Sequence, residues 1–344
     1  MNLKKTLIAD FRSDTLTKPS PEMLNAMFSA KVGDDVFGED PTVNELQSMA
    51  AQMFGKEAAL FCASGTMTNQ IAIKVHTVPG DELICSDFAH IYRSEGGGIA
   101  FNSGVSARLI SGNRGRLSLN DIKRNVNPDD IHCPRTTLVA LENTQNKGGG
   151  CFYDFEEIKR IAAFCKEKSL KLHLDGARLF NALVETGETP LQYGECFDSI
   201  SICLSKGLGT PVGSLLLGSS SFINQAKRVR KVFGGAMRQA GFLAAAGIYA
   251  LNHNIERLKI DHQRAKQIGE VLEKVSFVKE ILPVETNIII FRVKDEVEPQ
   301  NIVELLKQNN ILALQFGEQQ IRMVLHLDIT DEMVQYTIEK LRSL

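Results

Sequence analysis

One lysine, Lys206, stands where a strand-like run ends and a glycine-rich turn begins. The alternating, β-prone residues 199–204 lead directly to it, and Gly207, Gly209 and Pro211 follow. Burial at the end of a strand makes an ammonium group costly and favours the neutral amine, a nucleophile that forms Schiff bases with carbonyl groups. A solvated loop lysine, with glycines that serve only the turn, is the alternative that this stretch alone leaves open.

A carboxylate occupies the matching place at the end of an earlier strand-like run. Leu172 and Leu174 precede Asp175, and Gly176 allows close approach of the backbone. The carboxyl ends of parallel strands meet at one edge of an α/β sheet, where ligands bind. An acid and an amine at this edge are the pair that pyridoxal phosphate needs, because the acid keeps the ring nitrogen protonated and the amine holds the aldehyde. Alone, Asp175 followed by Arg178 also fits a helix cap and a surface ion pair.

A phosphate site is indicated where the apolar run 58–62 stops at Ser64-Gly65-Thr66 and a helical pattern begins. Helix N-termini bind anions through free N–H groups, and the glycine lets a phosphate approach the backbone. An ordinary N-cap is the commoner meaning of such a tripeptide. Arg238, which follows two glycines, is a candidate for a second phosphate contact.

Two further side chains have positions suited to a planar cofactor or an acidic substrate group. His90 precedes a run of three glycines, so its imidazole can lie flat on a ring, although a lone histidine is more often a satisfied core or surface residue. Arg322 lies among apolar neighbours in a strand-like run. A buried arginine needs an anion, and the carboxylate of an amino acid matches its two parallel donors.

The elements that must position these residues alternate between strand and helix over roughly the first 250 residues, which predicts a doubly wound, mostly parallel sheet. Thr42 and Glu45 have the spacing of a capping box at the start of one helix. A long helical pattern over residues 255–275 then leads to shorter strands and helices. We expect an N-terminal arm (1–18), a large domain (19–252) and a small C-terminal α/β domain (253–344).

Composition argues against several classes of protein. The 344 residues are 43% hydrophobic and 23% charged, as in ordinary globular proteins, and the net charge of −2 argues against nucleic acid or an anionic membrane surface as a partner. No apolar run approaches the ~18 residues of a membrane span, and no signal peptide is evident. The seven cysteines lack metal-binding spacing and mostly lie in apolar runs, so we expect buried thiols, no metal and a cytoplasmic location.

Beyond these patterns, the sequence resembles the threonine aldolases, a family of β-eliminating lyases that use pyridoxal phosphate and have the aspartate aminotransferase fold (fold type I). The resemblance covers nearly the whole chain. It is carried by FRSDTLTKP, VGDDVFGEDPTVNELQ, SGTMTNQIA, AHIYRSEGG, LHLDGARLFNA, CLSKGLGTPVGS, GGAMRQAGFLAAAG and IRMVLH. It implies retro-aldol cleavage of L-threonine or L-allo-threonine to glycine and acetaldehyde. It also implies a homotetramer, a dimer of dimers with active sites at the dimer interface.

The resemblance implies a role in cofactor binding for several residues. Lys206 is the Schiff-base lysine, Asp175 pairs with the pyridine nitrogen and His90 stacks on the ring. Arg178 hydrogen-bonds the hydroxyl side of the ring and also belongs to the substrate site. The family's phosphate-binding positions match Gly65, Thr66 and Arg238. Ser64, which precedes Gly65, is also counted among the cofactor-binding residues.

The resemblance also implies a substrate site. Ser13 and Arg322 match the positions that hold the substrate carboxylate, and His132 matches a histidine near the substrate hydroxyl. His90 or His132 would take the hydroxyl proton. The chain departs from the family pattern at Gln145, where a histidine is usual, and at Cys133, where an aromatic residue is usual. Both departures bear on the preference for substrate side chain and diastereomer.

Two other functions fit parts of the same pattern. Another reaction of pyridoxal phosphate, such as β-elimination from a small amino acid or amino transfer, would use the same lysine and aspartate. A nucleotide-binding module or a catalytically silent member of the fold is an alternative from a different class. The reaction products distinguish the first alternative from aldol cleavage, since cleavage gives glycine and an aldehyde instead of ammonia and a keto acid. Visible absorbance of a bound coenzyme, lost in Lys206→Ala, distinguishes the second alternative from an active enzyme.

Overall fold

The computed structural model describes residues 7–344 and has an α/β architecture. Its strands are β1 (Ala9–Asp10), β2 (Ala58–Cys62), β3 (Glu82–Ser86), β4 (Ser106–Ile110), β5 (Thr136–Glu142), β6 (Lys171–Gly176), β7 (Ser199–Cys203), β8 (Ser214–Gly218), β9 (Val278–Ile281), β10 (Ile288–Val293), β11 (Ile311–Leu312), β12 (Leu314–Gln315) and β13 (Gln320–Val324). Its α-helices are α1 (Pro21–Phe28), α2 (Pro41–Met53), α3 (Gly65–His76), α4 (His90–Arg93), α5 (Gly98–Ser103), α6 (Leu119–Lys123), α7 (Phe155–Glu167), α8 (Leu179–Thr186), α9 (Pro190–Cys196), α10 (Ser220–Val232), α11 (Gly241–His253), α12 (Leu258–Leu272), α13 (Pro299–Gln308) and α14 (Asp331–Arg342).

Seven strands form the large sheet, in the order β2-β8-β7-β6-β5-β3-β4. Strand β8 runs antiparallel to both of its neighbours, and the other six strands share one direction. The predicted mostly parallel sheet is therefore confirmed. Because β5, β6 and β7 are adjacent and parallel, their carboxyl ends, at Glu142, Gly176 and Cys203, lie along one edge of the sheet.

A second, antiparallel sheet follows in the order β12-β13-β10-β9. It has its own apolar cluster, in which Phe291 and Met323 of the sheet pack with Ala265 and Ile268 of α12. This agrees with the predicted smaller α/β part at the C-terminus. Helix α12 begins at Leu258 and ends at Leu272, so it is shorter than the predicted bridging helix.

The chain's N-terminal segment is attached to the small sheet's cluster rather than to the large sheet. Strand β1 pairs in parallel with β11, and Ala9 and Phe11 are buried in the small sheet's cluster. Residues 1–6 of the predicted arm lie outside the described residues. We propose the boundaries 1–18, 19–252 and 253–344 for arm, large domain and small domain; the separate apolar clusters of the two sheets support this division.

Helix α11 packs on α1 and α2 through small side chains, among them Ala244, Ala246 and Ala250. Small residues let helix backbones approach closely, so these three helices form a tight layer on the large sheet. Among the helices of residues 7–344, none is both long enough and apolar enough to span a lipid bilayer.

Candidate active site

Asp175 is buried at the carboxyl end of β6, with 3% of its surface exposed. The amide Nδ2 of Asn69 donates a hydrogen bond of 2.9 Å to Asp175 Oδ2, and the backbone N–H of Ala177 donates one of 3.2 Å to Oδ1. Glu142 lies directly opposite Asp175 on the neighbouring strand β5. The same Asn69 amide also donates to Glu95 Oε1 at 2.9 Å. Three acids therefore share one buried region at the edge of the sheet.

These three acids carry more negative charge than their surroundings compensate. Within residues 7–344, neither Asp175 nor Glu142 forms an ion pair, and Glu95 pairs with the imidazole of His90 alone. Burial first, and the charge of Asp175 second, raise the pKa of Glu142 to about 7. A buried, uncompensated carboxylate needs a cation. The protonated ring nitrogen of pyridoxal phosphate is a cation of suitable size, so the residues present fit that cofactor.

His90 belongs to the same cluster. Its Nδ1 lies 2.8 Å from Glu95 Oε1, and its backbone N–H donates to Glu142 Oε2 at 2.8 Å. One ligand atom each of His90, Glu95 and Asp175 lie within 4.8 Å of one another. The hydrogen bond with Glu95 raises the pKa of His90. The imidazole is thus held beside the carboxylate of Asp175, where a bound planar ring would contact it.

A second cluster, of cations, surrounds Asp14. Arg178 is buried, and its Nε and Nη2 both lie 2.7 Å from the Asp14 carboxylate oxygens. Burial opposes ionisation of Asp14, but the charges of Arg178, Lys206 and Arg322 outweigh it and hold its pKa at about 2. Lys206 follows β7 and is half-buried, and its ammonium makes no hydrogen bond with any residue in 7–344. Lys206 therefore has a free amine at the same edge of the sheet as Asp175.

Arg322 has an unused hydrogen-bond donor beside this cluster. Its Nη1 donates to Asn146 Oδ1 at 2.9 Å and its Nη2 to the carbonyl oxygen of Arg12 at 3.1 Å, whereas its buried Nε has no partner in the described chain. Its guanidinium lies 4.2 Å from the ring centre of Phe316. Burial and the nearby Arg178 lower the pKa of Arg322 to about 10. A buried guanidinium with a free donor is suited to bind a carboxylate.

The predicted phosphate site is the N-terminus of α3. Ser64 is the N-cap, and its Oγ accepts a hydrogen bond of 3.2 Å from the Met67 N–H. The N–H groups of Gly65 and Thr66 have no acceptor among residues 7–344. Beside Gly65, the Oγ of Ser214 is buried without a partner. Free N–H groups at the start of a twelve-residue helix and an unpaired hydroxyl are groups that a phosphate would satisfy.

Of the predicted site residues, His132 lies apart from these clusters in the single chain, and Arg238 is bound to a carboxylate outside them. His132 is exposed, precedes β5 and lies 2.8 Å from Asp130 through Nδ1. A strand of seven residues, about 20 Å long, separates its end of the sheet from the edge at Glu142. Arg238 is also exposed, and its Nη1 donates to Asp34 at 2.9 Å. A contact of His132 with this site would therefore have to come from a second copy of the chain.

The remaining predicted residues have partners of their own. Ser13 lies between Arg12, whose carbonyl binds Arg322, and Asp14, and its Oγ accepts the N–H of Thr15 at 3.2 Å. Gln145, one of the two departures from the family pattern, is buried, and its Nε2 lies 3.4 Å from Glu142 Oε2. The amide thus contacts one member of the acid cluster without adding a charge.

Four residues of the site have no predicted role: Asp14, Asn69, Glu95 and Glu142. Asn69 has the clearest local signal, because it follows Gly65 by four residues and so lies on the same face of α3. Asp14 and Arg178 are 164 residues apart, and no pattern within one element indicates that they pair.

Replacing Asp14 with asparagine should destabilise the protein, because it leaves the buried guanidinium of Arg178 without a counter-ion. We expect a loss on the order of 3 kcal/mol at pH 7, measured by urea unfolding of coenzyme-free protein. Folding lowers the pKa of this carboxyl from 3.8 to about 2, so its contribution is complete above pH 3.8 and vanishes as the pH falls to about 2. The difference between wild type and variant should shrink over that window.

The matched control for this experiment is Asp10→Asn, since Asp10 forms an ion pair with an exposed arginine, Arg12. Its loss should stay below about 1 kcal/mol. Equal losses in the two variants at pH 7 would contradict a special role for the buried pair.

A large groove lies at the opposite edge of the sheet and is not this site. It has a volume of about 1030 Å³ and is lined by residues at the amino ends of β6 and β7, including Lys171 and Asp198, and by His76 at the end of α3. The clusters at Asp175 and Asp14 lie at the carboxyl edge, where ligands of such sheets bind. We therefore place the candidate active site at the carboxyl edge.

Solved structures share this architecture over almost the whole chain. A threonine aldolase from Leishmania major superposes with a TM-score of 0.84, at 22% identity, over 97% of this chain and 99% of that one. A serine palmitoyltransferase from Sphingomonas wittichii superposes with a TM-score of 0.76, at 15% identity, over 98% of this chain and 86% of that one. The chain therefore has the fold of these enzymes, fold type I, with a buried acid and a free amine at one edge of its sheet.

Sequence comparison narrows this class. The family model of the beta-eliminating lyases matches residues 10–296. The low specificity L-threonine aldolase of Escherichia coli K12 is 44% identical over 94% of this chain and 96% of its own length, and low-specificity L-threonine aldolase 1 of Arabidopsis thaliana is 41% identical over 96% and 94%. The chain belongs to the beta-eliminating lyase family and is a lyase. The predicted family, fold and cofactor are confirmed.

Proposed function

We propose that the protein cleaves L-threonine and L-allo-threonine to glycine and acetaldehyde by a retro-aldol reaction. The observation that carries the proposal is the arrangement of three groups at one edge of the sheet. They are a buried acid cluster at Asp175, a free amine at Lys206 and, at Arg322, a buried guanidinium that forms no ion pair within residues 7–344. Relatives named low-specificity L-threonine aldolase in bacteria, plants and fungi support the choice of substrate.

In this proposal, residues of four elements hold the coenzyme. Asp175 would accept a hydrogen bond from the protonated ring nitrogen, His90 would lie against the ring, and Lys206 would hold the aldehyde carbon. The phosphate binds the free N–H groups at the start of α3 and the hydroxyl of Ser64, with Arg238 as a further contact from a second copy of the chain. When bound, pyridoxal phosphate supplies an electron sink for the pair of electrons released as the Cα–Cβ bond breaks.

The substrate carboxylate binds Arg322 and Ser13. Arg178, whose Nε and Nη2 donate to the two carboxylate oxygens of Asp14, lies next to this position and hydrogen-bonds the ring hydroxyl. Fixing the carboxylate and the amino group together restricts rotation about the bond between the amino nitrogen and Cα of the substrate. The enzyme thereby selects which bond to Cα is broken. Arg322 is buried and forms no ion pair within residues 7–344, which supports this assignment because a bound carboxylate would be its counter-ion.

Replacing Arg322 with alanine should raise KM for L-threonine about 100-fold with a smaller change in kcat, because the substrate loses its main charged contact. Steady-state kinetics on holoenzyme measure this. The matched control is Arg292→Ala, on the neighbouring strand β10 and opposite Gln320, which should leave KM within about twofold. An unchanged KM in the Arg322 variant would place the carboxylate elsewhere.

A base must remove the proton of the substrate hydroxyl, and the two candidates predict different pH profiles. His90 can accept a proton only when neutral, and its pKa is raised by Glu95, so kcat/KM should fall as the pH drops below a midpoint above 6.5. If His90 is the base, Glu95→Gln moves that midpoint to lower pH and His132→Gln does not. If His132 of a second copy is the base, His132→Gln lowers kcat/KM and Glu95→Gln leaves the midpoint in place.

We also propose a cytoplasmic homotetramer, a dimer of dimers whose paired chains share active sites. Large apolar side chains exposed on the single chain support this assembly: Phe28, Phe37, Phe101, Ile131 and Val232. All seven cysteines are free, in keeping with a reducing compartment. Sedimentation equilibrium of the holoenzyme should give about four times the 38.0 kDa of one chain. A monomer with full activity would contradict shared sites.

Product analysis tests the proposed reaction. Holoenzyme incubated with either diastereomer of threonine should release glycine and acetaldehyde in equal amounts. Because the family is described as beta-eliminating, release of ammonia and a keto acid is the alternative outcome and would replace the proposal. Failure to convert either diastereomer, by a protein that binds the coenzyme, would exclude threonine as the substrate.

A further inference from the structure

A continuous chain of hydrogen bonds crosses the interior of the large sheet and ends on Asp175. It begins at His76, whose Nε2 lies 2.8 Å from Ser199 Oγ. The same hydroxyl lies 2.8 Å from Nδ1 of His173, and Nε2 of His173 lies 3.1 Å from Asn69 Oδ1. Asn69 Nδ2 then donates to Asp175 at 2.9 Å. We call these four residues behind Asp175 the relay.

The direction of every bond in the relay follows from its last member. Asn69 Nδ2 faces two carboxylate oxygens, of Asp175 and Glu95, and must donate to both. Asn69 Oδ1 is therefore the acceptor for His173, which carries its proton on Nε2 and has a lone pair on Nδ1. Ser199 donates its hydroxyl proton to that lone pair and accepts the Nε2 proton of His76. No member can reverse without breaking a bond.

Burial keeps the relay neutral. His173, Ser199 and Asn69 are almost fully buried, with 0%, 0% and 1% of their surface exposed. Burial lowers the pKa of His173 to about 3 and that of His76 to about 4, so each ring carries one proton at neutral pH. His76 is held in place by stacking on Phe222, with ring centres 4.6 Å apart. A neutral, continuous chain of hydrogen bonds of this kind gives each side chain one orientation.

We propose that His173 and Ser199 are positioning residues that act through Asn69 to hold the carboxylate of Asp175 on the ring nitrogen of the coenzyme. This rests on the proposed function, in which Asp175 binds that nitrogen. Without the His173 donor, the Asn69 amide is free to rotate and to turn its oxygen toward the carboxylates, which repels them. The relay thus sets how much more tightly the protein binds a coenzyme ring that contains the nitrogen than a ring that has carbon in its place.

Two variants of His173 separate this role from simple packing. Glutamine places its amide nitrogen near the former Nε2 position and keeps a donor to Asn69. Asparagine places its amide near the former Nδ1 position, keeps a partner for Ser199 and loses the donor to Asn69. Both replace the same buried ring with a neutral amide, so they form a matched pair.

The readout is the ratio of dissociation constants for two probes, pyridoxal phosphate and its analogue with carbon in place of the ring nitrogen. Damage to the pocket weakens the binding of both probes alike. Displacement of Asp175 weakens the binding of pyridoxal phosphate selectively. We expect His173→Asn to lower the preference for pyridoxal phosphate about tenfold, the effect of one buried hydrogen bond, and His173→Gln to retain it within about threefold. An unchanged preference in His173→Asn, or an equal loss in both variants, overturns the proposal.

A further variant covers the case in which neither His173 variant folds. Ser199→Ala removes one hydroxyl, frees the tautomer of His173 and should lower the preference about threefold; full retention then overturns the proposal. The wild-type protein separates this inference from the proposed function. If wild type binds neither probe or does not prefer pyridoxal phosphate, the role of Asp175 itself fails. If wild type discriminates and all variants discriminate equally well, the relay alone fails.

Discussion

Holoenzyme of the Lys206→Ala variant is expected to lack the visible absorbance of a lysine-linked coenzyme and to lose activity on the order of 10⁴-fold. The amine of Lys206 makes no hydrogen bond or ion pair within residues 7–344, so nothing in the described chain competes with a carbonyl for it. Nearby Arg178 and Arg322 are guanidinium groups, which stay protonated and cannot replace it as nucleophiles. Absorbance spectra and an aldehyde-coupled assay measure the two effects.

Lys171→Ala is the matched control for this variant. Lys171 is an exposed lysine at the amino end of β6, where it pairs with Asp198 at 3.0 Å, and it should tolerate replacement without loss of absorbance or rate. Normal absorbance in the Lys206 variant would mean that another lysine carries the coenzyme. Normal activity would remove the covalent link from the reaction.

Asp175→Asn should lower the rate on the order of 10³-fold while the coenzyme stays attached to Lys206. Asparagine keeps the size of the side chain but removes the charge that stabilises a proton on the ring nitrogen, so the ring becomes a poorer electron sink. The same change relieves repulsion among buried acids. The pKa of Glu142, which Asp175 helps to raise, should therefore fall.

This second effect gives the Asp175 prediction an independent readout. Coenzyme-free Asp175→Asn should be at least as stable as wild type toward urea, because one of three crowded carboxylates has become neutral. Low activity together with undiminished stability would identify Asp175 as a functional residue. A variant that is both less stable and inactive would instead make Asp175 part of the structural core.

The mostly parallel sheet and the positions of Lys206 and Asp175 near strand ends could be predicted from the sequence. Both follow from short apolar runs that stop at glycine, a pattern contained within about ten residues. The capping box predicted at Thr42 and Glu45 is wrong, because the helix begins before Thr42 and has a different N-cap residue. Asp40 is the N-cap of α2, and its Oδ1 accepts the N–H groups of Thr42 and Val43. Pro41 has no N–H and suits the first helical position, so the aspartate before it becomes the cap.

The partners of the site residues could not be predicted in the same way. The contact of Asn69 with Asp175 spans 106 residues and that of Asp14 with Arg178 spans 164. Such pairs arise only when separate elements pack together, and local periodicity does not encode them. For Ser13 and His132, only resemblance to a family suggests a role. The single chain leaves His132 exposed and far from the acid cluster, so its role stays a prediction about the assembled protein.

The covalent site of the coenzyme is the most direct test of this account. Holoenzyme reduced with borohydride fixes the coenzyme permanently to the amine that holds it, and digestion followed by mass spectrometry locates that amine. We predict one labelled peptide, with the label on Lys206. A label on any other lysine, or no label in protein reconstituted with pyridoxal phosphate, would contradict the assignment of the active site to the carboxyl edge of β6 and β7.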